Sequence, residues 1–173
     1  MTSKLTTAFI NRKFLSFTKH VILDEQNHVL LEMKPKLAFN PLFYFVKSGQ
    51  IVYIGKMKMS KKIVTKQFEI YRNEINSNNK IATILEVPIY KKKSLFSEFY
   101  IEVEGKTYYG QYMIASRKFN IIDDKNNISV EGELITPFFK KIFGIRKYKV
   151  NIYDEKIEFD LWLAITKGMD LLE

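Results

Sequence analysis

The chain has 173 residues, 28 lysines and arginines against 19 aspartates and glutamates, a formal net charge of +9 and no cysteine. The length suits a single domain over 1–173 that buries roughly two-thirds of its unfolded surface, and a hydrophobic content of 46% with few glycines and prolines excludes a disordered or low-complexity chain. The missing cysteines exclude disulfides, thiolate metal sites and cysteine nucleophiles, and fit a reducing, cytoplasmic setting.

The opening stretch, MTSKLTTAFINRKFLSF, has short apolar pieces broken by Thr6, Thr7, Asn11, Arg12 and Lys13, so neither a signal peptide nor an anchor is expected. Beyond it the chain reads as a succession of hairpins. Residues 22–32, ILDEQNHVLLE, line up without gaps against 121–131, IIDDKNNISVE. Both read as an apolar pair, an acidic pair, a polar turn built on Asp and Asn, and a strand, and the match suggests two similar halves of one sheet. Phe43 to Ile54 form two β-branched and aromatic runs around Lys47-Ser48-Gly49-Gln50. Phe68 to Arg72 and Lys80 to Val87 flank a polar loop, Asn73 to Asn79. Phe99, Ile101 and Val103 alternate with Tyr100, Glu102 and Glu104 before a turn at Gly105-Lys106.

Near the end, Tyr148, Val150 and Ile152 alternate with Lys149, Asn151 and Tyr153, and Asp154-Glu155-Lys156 supplies a turn. Ile157 and Phe159 alternate with Glu158 and Asp160 as a short strand would, and from Leu161 the pattern becomes that of a helix. That helix is apolar nearly all round, interrupted mainly by Thr166, Lys167 and Asp170. It is far short of the ~20 residues a bilayer span needs, so it belongs in a core wrapped by the preceding sheet.

These features, the turns opening at Ile22-Leu23-Asp24 and Ile121-Ile122-Asp123, the terminal hairpin over Tyr148–Ile152 and Ile157–Phe159, and the closing Leu161-Trp162-Leu163-Ala164-Ile165 helix ending in Met169-Asp170-Leu171-Leu172, resemble the tubby C-terminal-like superfamily. Within it they are most similar to the LURP-one-related branch that includes phospholipid scramblases. The resemblance runs from about Phe17 onward. It implies a mainly β fold, a closed antiparallel barrel of about twelve strands enclosing a hydrophobic C-terminal helix. Scramblases also carry a cysteine-rich lipidated segment and a proline-rich arm. This chain has no cysteine and 4 prolines, so scramblase activity is not carried over. Tubby binds phosphoinositides through basic residues on its barrel, which transfers here only as a class of function, the binding of anionic lipid.

No catalytic motif stands out, and neither an enzyme nor a cofactor is expected. His20 and His28 lack the close spacing of a helical zinc pair. Gly49 to Met57 imitates a phosphate loop with one residue too many between the glycines and Met57 in place of the metal-binding hydroxyl. Asp123 to Asn127 lacks the spacing, glycine and closing glutamate of a calcium loop. Asn127-Ile128-Ser129, a glycosylation acceptor by pattern, reads better as a turn.

What remains is basic and aromatic surface. Four clusters stand out: Lys4, Arg12, Lys13 and Lys19; Lys56, Lys58, Lys61, Lys62 and Lys66; Lys91, Lys92 and Lys93; and Lys140, Lys141, Arg146, Lys147 and Lys149. Phe138, Phe139 and Phe143 stand beside the last cluster. Aromatics among lysines on a loop can enter lipid headgroups while the charges hold anionic phospholipid, each basic residue contributing about 1 kcal/mol. The candidate lipid-binding residues are therefore Lys91, Lys92, Lys93, Lys140, Lys141, Arg146, Lys147, Phe138 and Phe139. The alternatives are that these aromatics pack under the barrel rim and the chain is a structural or protein-interaction domain, or that charge and 10 tyrosines serve nucleic acid.

Overall fold

The computed structural model describes residues 6–12, 19–36, 39–60, 65–88, 97–113, 117–136 and 146–172. They form twelve strands and one long helix: β1 (Thr6–Arg12), β2 (His20–Leu23), β3 (Val29–Lys36), β4 (Leu42–Lys47), β5 (Gln50–Ser60), β6 (Thr65–Arg72), β7 (Lys80–Glu86), β8 (Ser97–Val103), β9 (Lys106–Met113), β10 (Lys118–Ile122), β11 (Ile128–Leu134), β12 (Arg146–Ile152) and α1 (Phe159–Leu172). Each strand pairs antiparallel with its sequence neighbours, and β1 pairs with β12 to close the barrel. Closure gives each strand a paired neighbour on both sides, most briefly at β1–β2.

Alternation decides what fills the cylinder. Inward positions carry Phe45, Phe68, Phe99, Ile101, Phe119, Val150 and their like, all buried. Outward positions are polar, among them Glu32, Lys34, Glu102, Lys118, Glu133 and Lys149, the reverse of a barrel wall that faces lipid. The inward side chains close on α1, where Leu161, Trp162, Leu163, Ala164 and Ile165 are all fully enclosed. Trp162 meets the Tyr108 ring edge-on at 5.0 Å between centroids. The polar interruptions of the helix are satisfied in place. Thr166 Oγ1 donates to the Trp162 carbonyl at 2.9 Å, and Lys167 Nζ donates to Asp170 Oδ2 at 2.6 Å in full burial. Gly168 sets how close the helix comes to the wall, because a Cβ there would lie 2.7 Å from both Ile84 and Phe68 side-chain carbons.

The tight hairpins follow from backbone chemistry. Ser48 and Gly49, and Glu104 and Gly105, all take positive φ, the signature of two-residue turns whose twist matches the strands. The second turn falls one residue earlier than the sequence predicts, since Lys106 pairs with Val103 and opens β9.

The echo between 22–32 and 121–131 is a repeated hairpin. Asp24 Oδ1 accepts the backbone N–H of Gln26 and His28 at 2.9 and 2.8 Å, and Asp123 Oδ1 accepts those of Lys125 and Asn127 at the same distances. Asn27 and Asn126 take φ of 66° and 63°, and both copies bulge at the matching step, Ile22/Leu23 and Ile121/Ile122. The two copies flank the β1–β12 pair within one barrel.

Two local expectations are corrected. The short strand over Ile157–Phe159 is absent, because β12 already has β11 and β1 on its two sides. The Glu158 carbonyl instead accepts from Leu161 and Trp162 N–H at 3.0 and 3.1 Å, so Phe159 is already helical. Conversely, Thr6–Arg12, part of the segment that precedes the predicted hairpins, is the strand that closes the barrel.

Candidate functional site

An up-and-down barrel of twelve strands sorts its connections into two sets, and this sorting organises the charge. One end receives the β2–β3, β4–β5, β6–β7, β8–β9 and β10–β11 turns and the β12–α1 link. Their sequences contain Asp24, Glu25, Glu74, Glu104, Asp123, Asp124, Asp154, Glu155 and Glu158, against Lys125 and Lys156. The other end receives the remaining connections. The segments that join its strand ends contain Lys13 and Lys19, Lys61 and Lys62, Lys91, Lys92 and Lys93, Arg117, and Lys140 and Lys141, with no Asp or Glu.

At the acidic end several carboxylates are engaged by the protein itself. Glu158 accepts from the Tyr53 hydroxyl at 2.6 Å and from Arg72 at 3.2 Å, and Lys47 pairs with Asp160. The Tyr53 hydrogen bond, helped by Arg72, holds the Glu158 carboxyl below its usual range despite some burial. Asp154 accepts from Tyr108 at 2.9 Å through its carboxylate and from Trp162 Nε1 at 3.3 Å through its carbonyl. These contacts fasten the start of α1 to the wall. An open cavity of about 370 Å³ between Gly105, Lys106, Thr107, Tyr108, Asp123, Asp124 and Lys156 lies at this end. His28 Nδ1 sits 3.0 Å from Asp24 Oδ2, while His20 is buried. Among the described residues no three His, Asp or Glu side chains gather as metal ligands.

At the basic end the picture differs. The helix ends there, and Lys66 Nζ donates to the Leu172 carbonyl at 2.7 Å, capping it. Two carboxylates on the strands approaching this end are paired in place, Glu69 with Lys58 at 2.6 Å and Glu32 with Lys19 at 2.6 Å. Burial pushes the Glu69 carboxyl up, but hydrogen bonds from Lys58 and Tyr71 outweigh it and leave it below its ordinary value.

Of the predicted lipid-binding residues, Lys91, Lys92, Lys93, Phe138, Phe139, Lys140 and Lys141 lie outside the described residues, as do Phe143 and Glu173. The strand ends that flank the first and last groups, Glu86 and Ser97, Leu134 and Arg146, all belong to the basic end. The Arg146 backbone pairs with Arg12 in the β1–β12 ladder. Lys147 lies 4.8 Å over the Phe9 ring, held in a cation–π contact on the outer wall. Two residues that sequence reasoning missed also lie here. Phe39 is 95% exposed and Met59 is 70% exposed. The available signals were an aromatic next to an Asn-Pro pair and the Lys56-Met57-Lys58-Met59 alternation, in which lysines point out and methionines in.

No protein-family model and no curated protein sequence matches the chain. Its fold is similar to the X-ray structure of a protein from Arabidopsis thaliana, with a TM-score of 0.62 and 11% sequence identity over 97% of this chain and 91% of that one. At that identity the likeness establishes the fold alone.

Proposed function

We propose that the protein is a non-enzymatic, tubby-like barrel that docks on an anionic phospholipid surface through its basic end. The likeness to the Arabidopsis barrel and the sequence motifs support the tubby-like, LURP-one-related assignment. The observation that carries the function is the separation of charge along the barrel axis.

The separation matters because of distance. The 14 residues of α1 span about 21 Å, more than two screening lengths of about 8 Å at physiological ionic strength. A planar anionic surface at the basic end therefore meets its lysines almost unopposed by the far carboxylates, and the net charge of +9 understates that attraction. Helix-dipole stabilisation is the competing account, since acidic groups sit at the start of α1 and Lys66 at its end. That effect fades within one turn of a helix terminus and does not require lysines in connections between strands. No described helix is long and apolar enough to cross a membrane, so attachment would be peripheral.

Nucleic acid offers phosphates too, but stacking needs exposed rings beside cations. The outward ring pair Tyr100 and Tyr109, 6.0 Å apart, lies on β8 and β9, where Glu98 and Glu102 occupy the neighbouring outward positions of β8. Among the described residues a single highly exposed ring, Phe39, stands at the basic end, too little for a run of stacked bases. The test is sedimentation with phosphatidylcholine vesicles, with and without phosphatidylserine, over a salt series. Binding only to the anionic vesicles, falling with salt, is the expected result. No binding at low salt overturns the proposal, and tighter salt-matched binding to single-stranded nucleic acid replaces it with the other reading.

A further inference from the structure

The β4–β5 ladder ends at Leu42 opposite Lys56, but Met57 N–H still donates to the Pro41 carbonyl at 3.0 Å. Met59 falls on the inward side of the wall, the side of Gly55 opposite Phe43, and Phe39, in the bend just before Pro41, belongs to the β3–β4 connection at the same end of the barrel. Along β5 the inward series Tyr53, Gly55, Met57 and Met59 passes from buried to 70% exposed, so it runs off the top of the core at the barrel mouth. Across the next ladder Met59 faces Lys66, whose ammonium caps the end of α1. The two most exposed large apolar side chains of the described residues thus share one stretch of the basic rim.

Charge surrounds them. Lys36 and Lys56 flank Leu42 on its two sides in the ladders just below, while Lys58, between Met57 and Met59 on the outward face, is paired with Glu69. An apolar tip inside a collar of lysines matches the interface of an anionic bilayer. There an apolar group reaches the acyl boundary while ammonium groups stay among the phosphates. A basic protein partner would be repelled by that collar, and an acidic one would leave Phe39 and Met59 without an apolar counterpart.

We infer that Phe39 and Met59 form the insertion point of the barrel, entering the headgroup region so that the protein stands on the membrane on its basic end. This rests on the lipid reading above and adds where the apolar contact is made. Because the chain has no cysteine, single labels are clean. Phe39→Cys and, at the opposite end, Ile128→Cys would carry an environment-sensitive fluorophore and be mixed with phosphatidylserine-containing vesicles. The expected result is a blue shift and quenching by acyl-chain spin labels at residue 39 only. The Phe39→Gln, Met59→Gln double variant, which leaves net charge unchanged, should keep the helical and strand circular dichroism of the parent and lose about tenfold or more in vesicle partitioning.

Parent binding with no shift at residue 39 and undiminished binding of the double variant would overturn the insertion point while leaving charge-driven docking intact. Failure of the parent itself to bind would overturn both. A shift at residue 39 that needs no vesicles and grows with protein concentration would mean that a second copy covers the rim, which also overturns the inference.

Discussion

The two ends of the barrel are built from the same strands yet treat charge in opposite ways. At the acidic end carboxylates are engaged internally: Asp24 and Asp123 by turn amides, Asp154 and Glu158 by tyrosine hydroxyls, Glu158 also by Arg72 and Asp160 by Lys47. At the basic end the connecting segments hold lysines and Arg117 and no carboxylate of their own, and of these Lys19 reaches Glu32 on β3 and Arg117 the Thr136 carbonyl. Net charge alone would hide this. One end binds its carboxylates into the fold, and the other carries cations in connections that contain no carboxylate of their own.

That contrast predicts that stability is sensitive to changes at the acidic end and in the shared interior, while the basic rim tolerates change. The largest effect is expected from Trp162→Ala. It removes an enclosed ring, its edge-on contact with Tyr108 and its tie to the Asp154 carbonyl, and should cost on the order of 3–5 kcal/mol in denaturant unfolding. Lys167→Met, which leaves the buried Asp170 carboxylate without its lysine, should cost about as much, roughly 3–5 kcal/mol. Adding Asp170→Leu should recover much of that loss, since an apolar pair of similar volume replaces a buried ion pair at little cost.

Gly168→Ala tests the closeness of helix to wall. Better helix propensity gains up to about 1 kcal/mol, but the new methyl meets Phe68 and Ile84 carbons at 2.7 Å, and overpacking of about 1–3 kcal/mol should win. Tyr53→Phe removes one hydrogen bond to Glu158 and should cost about 1 kcal/mol.

The same clamp has a pH signature. Because the folded-state pKa of Glu158 is depressed below its ordinary value of 4.5, its contribution is complete above that pH and is lost as pH falls through the lower folded-state value. The difference in stability between the parent and Tyr53→Phe should therefore shrink below about pH 4.5. A difference that stays constant into acid would show that Glu158 does not sense Tyr53.

How much of this was legible in the sequence depended on range. Ser48-Gly49, the paired Asp24 and Asp123 turns and the apolar run from Leu161 are local, so the chemistry of a few neighbouring residues is enough to read them. The closing strand Thr6–Arg12 was not legible, since its partner β12 lies at the far end of the chain and only their pairing makes it a strand. Ile157 to Phe159 misled because a helix's first turn and a short strand both alternate over three residues. The basic clusters were plain, but their common location was not. Knowing that the β5–β6, β7–β8 and β11–β12 connections join strand ends on one side of the barrel requires the number of strands between them, and Phe39 and Met59 come to the same end only through that topology.

The most direct test holds net charge constant and moves only its position. Lys91→Gln, Lys92→Gln and Lys93→Gln remove three charges from segments joined at the basic end, while Lys106→Gln, Lys125→Gln and Lys156→Gln remove three from the acidic end. Each substitution should shift stability by no more than about 0.5 kcal/mol, so both triple variants should remain folded. Partitioning onto phosphatidylserine-containing vesicles should fall on the order of 100-fold in the first, at about 1 kcal/mol per lysine, and stay near the parent value in the second. Equal losses in the two variants would mean that the membrane reads total charge and that the two ends are not functionally distinct.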